Sequence, residues 1–152
     1  MVNNERLSLI IFVGILVVLF TFACKKDEQD DGWSYCTDCN AENWAGTYTG
    51  TCSVYDAINN LNYSDQQVTI VVAQTGNDVL SVQVTVPVIF TISVSGPVQS
   101  SYSLSLSSNE KSFLGTLYKK ETQLKLTGSA KTFYDKAGKI ELLKSVNFET
   151  FK

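Results

Sequence analysis

The most reactive side chains in this 152-residue chain are cysteines: Cys36, Cys39 and Cys52, with a fourth at Cys24. Cys36-Thr37-Asp38-Cys39 sets two thiols at the spacing of a redox-active dithiol, and the three thiols together offer soft ligands to zinc. Redox work needs a depressed thiol pKa, usually from a strand-to-helix setting, and the aperiodic run around Cys36 signals none. Zinc would have three thiolates and no imidazole. A structural bond is the third use. A Cys39–Cys52 bond closes a loop near fifteen residues, worth ~3 kcal/mol on chain entropy, and is the favoured pairing. The open alternative is a Cys36–Cys39 pair with Cys52 as a buried thiol.

Other chemistry is thin. The chain has no histidine, hence no imidazole base, metal ligand or partner for a Ser or Cys nucleophile. Asp56, Asp65, Asp78, Glu110 and Asp135 fall mainly in turn-like stretches, with no pair placed to flank a glycosidic bond. Phosphate-cradling glycine loops are lacking. A net charge of −3 with no basic stripe argues against nucleic acid as a partner. These features point to a protein that is not an enzyme and takes no cofactor or metal. Tyr55, Tyr63, Tyr118, Phe133 and Tyr134 are candidates for a sugar-stacking face or a barrel rim, set against the commoner role of aromatics in packing a small core.

The elements that must position these residues are strands. From Trp44 onward the apolar period is two: Tyr48, Cys52 and Val54; Val68, Ile70 and Val72; Leu80, Val82, Val84 and Val86; Phe90, Ile92 and Val94. Tyr102, Leu104 and Leu106, then Leu124 and Leu126, then Ile140, Leu142, Val146 and Phe148 continue it, with almost no support for helix. Turns are expected at Thr75–Asp78, Ser107–Glu110, Lys119–Glu121 and Asp135–Lys139, and a turn, bulge or edge at Pro87. The count is about eight antiparallel strands joined mostly by hairpins. Such a sheet closes into an up-and-down barrel, with a two-sheet β-sandwich as the runner-up.

The N-terminus carries an address. Arg6 precedes a largely apolar run of sixteen residues, Leu7–Phe22, too short for a spanning helix of ~20 residues but suited to a secretory signal. Ala23-Cys24 after this run resembles a bacterial lipoprotein lipobox, although Thr21 and Phe22 stand where such sequences usually carry Leu or Val and a small residue. Lys25-Lys26-Asp27-Glu28-Gln29-Asp30-Asp31 resembles the export tag of Bacteroidota surface lipoproteins. The resemblance implies lipidation at Cys24, with residues 1–23 a signal peptide and 24–43 lipidated cysteine, tag and tether. It also implies an outer-membrane lipid anchor, with the protein at the cell surface.

Asn43-Trp44-Ala45-Gly46-Thr47-Tyr48-Thr49-Gly50 resembles the first strand of lipocalin-like barrels, including lipocalin-like domains of Bacteroidota lipoproteins. The resemblance implies a lipocalin-like domain over 44–152 in which Trp44 closes one barrel end. The expected function is a lipid-anchored module that binds a small apolar ligand inside the barrel. Tyr48, Val68, Ile70, Val82, Phe90, Tyr102 and Leu124 would line that site. The alternative is a structural or interaction protein of the cell envelope, with a packed barrel and a protein or glycan partner.

Overall fold

A computed structural model of the chain describes residues 31–152. The signal, Cys24 and most of the tag therefore lie outside the described residues. The folded unit begins at Gly32 rather than at Trp44. Its elements are β1 (Ser34–Tyr35), α1 (Ala41–Trp44), β2 (Gly46–Asp56), β3 (Leu61–Gly76), β4 (Val79–Val86), β5 (Phe90–Pro97), β6 (Ser103–Ser107), β7 (Lys111–Lys120), β8 (Gln123–Lys136) and β9 (Lys139–Phe151). All ladders are antiparallel, in the order β1-β7-β8-β9-β2-β3-β4-β5. β6 pairs with β7 on the edge that β7 also offers to β1.

The expected all-β class holds, and the four expected polar hairpins fall between β3 and β4, β6 and β7, β7 and β8, and β8 and β9. Pro87-Val88-Ile89 turns the chain between β4 and β5, with Val88 at a φ of 68° and fully in solvent. A proline lacks the N–H that continuing the ladder would require.

The closed barrel does not form. No ladder among the described residues joins β5 to β6. These two margins meet through side chains instead: a Cβ on Gly96 of β5 would come within 2.9 Å of the Leu106 side chain of β6. Pro97 ends β5 without a donor, and Val98 N–H donates to the Asp78 carbonyl, back toward the β3–β4 turn.

Inside the curl of the sheet the period-two rows form one core. Tyr48, Ile70, Leu80, Val82, Leu117 and Leu126 are fully buried in it, and Phe113 stacks on Phe148 with centroids 5.7 Å apart. Backbone approaches are close at two glycines: a Cβ on Gly128 (φ +158°) would lie 2.0 Å from the Leu114 carbonyl oxygen, and one on Gly50 2.2 Å from the Glu149 carbonyl oxygen. Thr150, also buried, donates from its hydroxyl to the Leu126 carbonyl at 3.0 Å.

The segment expected to be tether is built onto this sheet. Cys36 N–H donates to the Leu117 carbonyl, and Ser34 and Tyr35 pair with Lys119 and Tyr118. α1 is a single turn with an Asn40–Asn43 capping box, which satisfies its first amide donors. Trp44 closes that turn, fully buried, with its indole N–H donating to the Ser101 carbonyl at 2.9 Å. Two-residue strands and one-turn helices are too short to leave a period, so this segment reads as tether in sequence.

Candidate functional site

The interior residues come first. Tyr48, Val68, Ile70, Val82 and Phe90 are buried in the core as the alternation requires. The Tyr48 hydroxyl donates to the Trp44 carbonyl at 3.0 Å, and burial pushes its pKa well up. Leu124 is only half-buried, at the rim where β8 begins. Tyr102 is not interior: it precedes β6, is 37% exposed, and lies against Tyr35 on the outside. The side-chain parity of Leu104 and Leu106 stops at the start of β6, because the chain leaves the strand there. Ile140 is likewise exposed, beyond the core in the β8–β9 hairpin.

Among the cysteines the bond is Cys36–Cys39, and Cys52 is a buried free thiol. The favoured Cys39–Cys52 staple is thereby overturned. Cys52 lies six residues into β2, roughly 20 Å of extended strand past Gly46, whereas a disulfide needs Cα atoms within ~7 Å. Cys36, Asp38 and Cys39 bring potential ligand atoms within 4.8 Å of one another, but both sulfurs are committed to the disulfide. Both cysteines are buried, and burial also raises the Cys52 thiol pKa, the opposite of what a nucleophile needs. The disulfide holds a tight loop beside β7. Asp38 projects from that loop to Lys119 Nζ at 2.6 Å, and this hydrogen-bonded ammonium lowers the carboxyl's pKa. With both side chains largely exposed, the pair positions the loop more than it stabilises the fold.

The carboxylates serve turns. Asp56, buried at the end of β2, accepts from the Ile58 and Asn59 amides and from the Asn59 side chain, all at 3.1 Å. Lys144 lies 3.4 Å from it and also donates to the Ile89 carbonyl. Asp135 accepts from the Gly138 amide in the β8–β9 turn. Tyr55 donates to Asn60 and Tyr134 to Glu141, so these two expected platform residues have separate local partners. A groove of about 430 Å³ lined by Thr51, Ser64, Asp65, Asn147 and Glu149 opens to solvent across β2, β3 and β9.

The most unusual surface is elsewhere. Tyr35, Tyr118, Lys125 and Phe151 stand abreast on β1, β7, β8 and β9, each in register with the next. Tyr35 stacks on Tyr118 at 5.1 Å and 26°, and tilts against Tyr102 at the same distance. Lys125 Nζ sits 4.9 Å from the Trp33 ring and 5.2 Å from the Tyr118 ring, both within cation–π range. Trp33 in turn meets Phe151 at 5.8 Å. Tyr35, Tyr102 and Phe151 are 55%, 37% and 43% exposed. A continuous run of six side chains results, rich in aromatic faces and carrying a cation, suited to a partner that is both apolar and polar.

Of these six, only Tyr118 and Tyr102 stand out from the sequence alone, and Tyr102 does so for the wrong face. No local signal marks Trp33 and Tyr35, which precede the periodic region; their neighbours are set by pairing with β7 and by ring contacts. Comparison of the chain with family models, with curated proteins and with solved structures finds no match.

Proposed function

We propose that the chain is a non-catalytic lipoprotein, anchored to the outer membrane through Cys24 and displayed at the cell surface, whose β domain works through its outer face. The observation that supports the outer face is the occupancy of the inner one. Tyr48, Ile70, Val82 and Leu126 are fully buried in a single cluster with Trp44, and side chains of this size fill the inside of a small curled sheet. The hollow lined by Thr51, Ser64, Asp65, Asn147 and Glu149 is broadly open to solvent. The packed scaffold with an envelope protein or glycan partner thus fits the geometry better than a container for an apolar ligand. The address rests on the apolar run before Ala23-Cys24 and the tag that follows it.

Two measurements test this. Growth of the producing cells with labelled palmitate should label the chain and leave a C24S variant unlabelled and released from the membrane. A wild-type chain that stays on the membrane without label overturns the anchor. Solvent extraction of the purified full chain should yield no stoichiometric small molecule. Recovery of one would return the function to the interior of the sheet.

A further inference from the structure

We infer that the aromatic–lysine face of β1, β7, β8 and β9 is a lipid-contacting face, seated in the headgroup region of the membrane that anchors the chain; this rests on lipidation at Cys24. The folded unit begins at Gly32, so eight residue steps separate it from Cys24, and eight residues span at most ~28 Å when fully extended. A folded unit of about 120 residues has a radius of gyration near 14 Å and so a diameter of roughly 35 Å. The link is therefore shorter than the body it holds, and the side of the domain bearing Gly32 cannot face directly away from the lipid.

That side carries the face. Trp33 and Tyr35 follow Gly32 directly, and Lys120 lies beside it: a Cβ on Gly32 would be 3.2 Å from the lysine's Cε. Tryptophan and tyrosine favour the membrane–water interface, where the ring is sheltered and the polar edge stays wet. Lys120 and Lys125 extend long apolar stems with ammonium tips, a form that suits phosphate headgroups over an apolar boundary. The exposure of Tyr35, Tyr102 and Phe151 is what a water-facing surface would minimise and a lipid-facing one would use.

The test uses the full lipidated chain, reconstituted in phosphatidylethanolamine vesicles doped with phosphatidylcholine brominated high on its acyl chains. Bromine quenches tryptophan at short range, and the chain has two tryptophans in contrasting places. Trp33 should lose most of its emission, whereas Trp44, fully buried in the core, should keep it and report that the domain is folded. W33F should abolish the quenched component, and Y35S with Y102S should reduce the quenching of Trp33. Intact mass spectrometry run in parallel reports the lipid on Cys24. A lipidated chain with Trp33 unquenched overturns the inference and leaves the anchor standing, with the face then open to a protein, a glycan or the chain's own acidic tag. A chain with no lipid on Cys24 overturns both.

Discussion

The outer surface of the sheet divides into two halves that share an inner logic and differ outside. One row crosses eight strands in register. On β1, β7, β8 and β9 it reads Tyr35, Tyr118, Lys125, Phe151; on β2, β3, β4 and β5 it continues Thr49, Thr69, Thr85, Thr91. Neighbouring outward positions in the second half are Thr47, Gln67, Val71, Ser81, Gln83, Ser93 and Ser95, with no aromatic ring or formal charge among them. Beneath both halves lie the same kinds of buried Val, Leu, Ile and Phe. Core formation therefore places no demand that would explain the difference. Threonine satisfies the β-propensity of an exposed position without stickiness, so an aromatic run at equivalent positions is better explained by a contact than by folding.

Close backbone approaches fall in both halves, at Gly128 of β8 and at Gly50 of β2, where a Cβ would lie 2.0 Å and 2.2 Å from a carbonyl oxygen. The largest effect is expected between such a position and an open glycine. Gly128→Ala on β8 drives a Cβ into the Leu114 carbonyl oxygen, from a backbone conformation that disfavours side chains. It should cost roughly 3 kcal/mol or more in urea denaturation. Gly76→Ala on β3 meets Val79 at 3.4 Å, an ordinary contact, and should stay within about 0.5 kcal/mol. Equal losses would mean that the approach at Gly128 is no tighter than the contact at Gly76.

Next in size is the C36S/C39S double variant. The four-residue loop is worth about 2 kcal/mol in the chain-entropy model. The loss should be local: amide exchange should rise over Trp33–Trp44 and on the facing edge of β7, and stay unchanged on β4 and β5. A global rise would show that this segment supports the whole sheet. A smaller effect separates the two outer faces. Tyr35→Ala removes two ring contacts and should cost about 1 kcal/mol, while Thr69→Ala should cost a few tenths, roughly the worth of a weak cross-strand pair. Thermal unfolding of the two variants side by side checks the order.

The smallest prediction concerns acid. Amide donors of the turn, the Asn59 side chain and Lys144 hold the Asp56 pKa below the usual carboxylate range. A folded-state pKa lower than the unfolded one contributes stability that is fully present above the ordinary carboxyl value of about 4. That stability is lost as pH falls through the folded value. Asp56→Asn should therefore flatten the acid limb of the stability–pH curve below about pH 4 and leave its shape at neutral pH alone. An unchanged acid limb would remove Asp56 from the account.

Much of this architecture is legible in the residues. The alternation of Val68, Ile70 and Val72, and of Leu80, Val82, Val84 and Val86, names strands and their buried faces, because a period of two admits only one way to hide the apolar row. Turn residues and Pro87 divide the strands correctly for the same local reason. Tyr102 escapes that logic: its parity is that of Leu104, yet the strand starts one residue after it. Cys36, Cys39 and Cys52 escape it as well, since the spacing admits both a Cys39–Cys52 and a Cys36–Cys39 bond and only the path of the chain decides between them.

What the sequence by itself determined is an all-β chain with a defined inward row and polar turns between its strands. Tertiary structure alone decided that the sheet stops short of closure, that residues 33–44 join it, and that Tyr35, Tyr118, Lys125 and Phe151 stand side by side. The reason is the range of the forces. Periodicity and turn chemistry act between near neighbours in the chain, whereas closure, disulfide choice and outer-face composition depend on register between strands far apart in sequence. That register is set by the packing of the whole core.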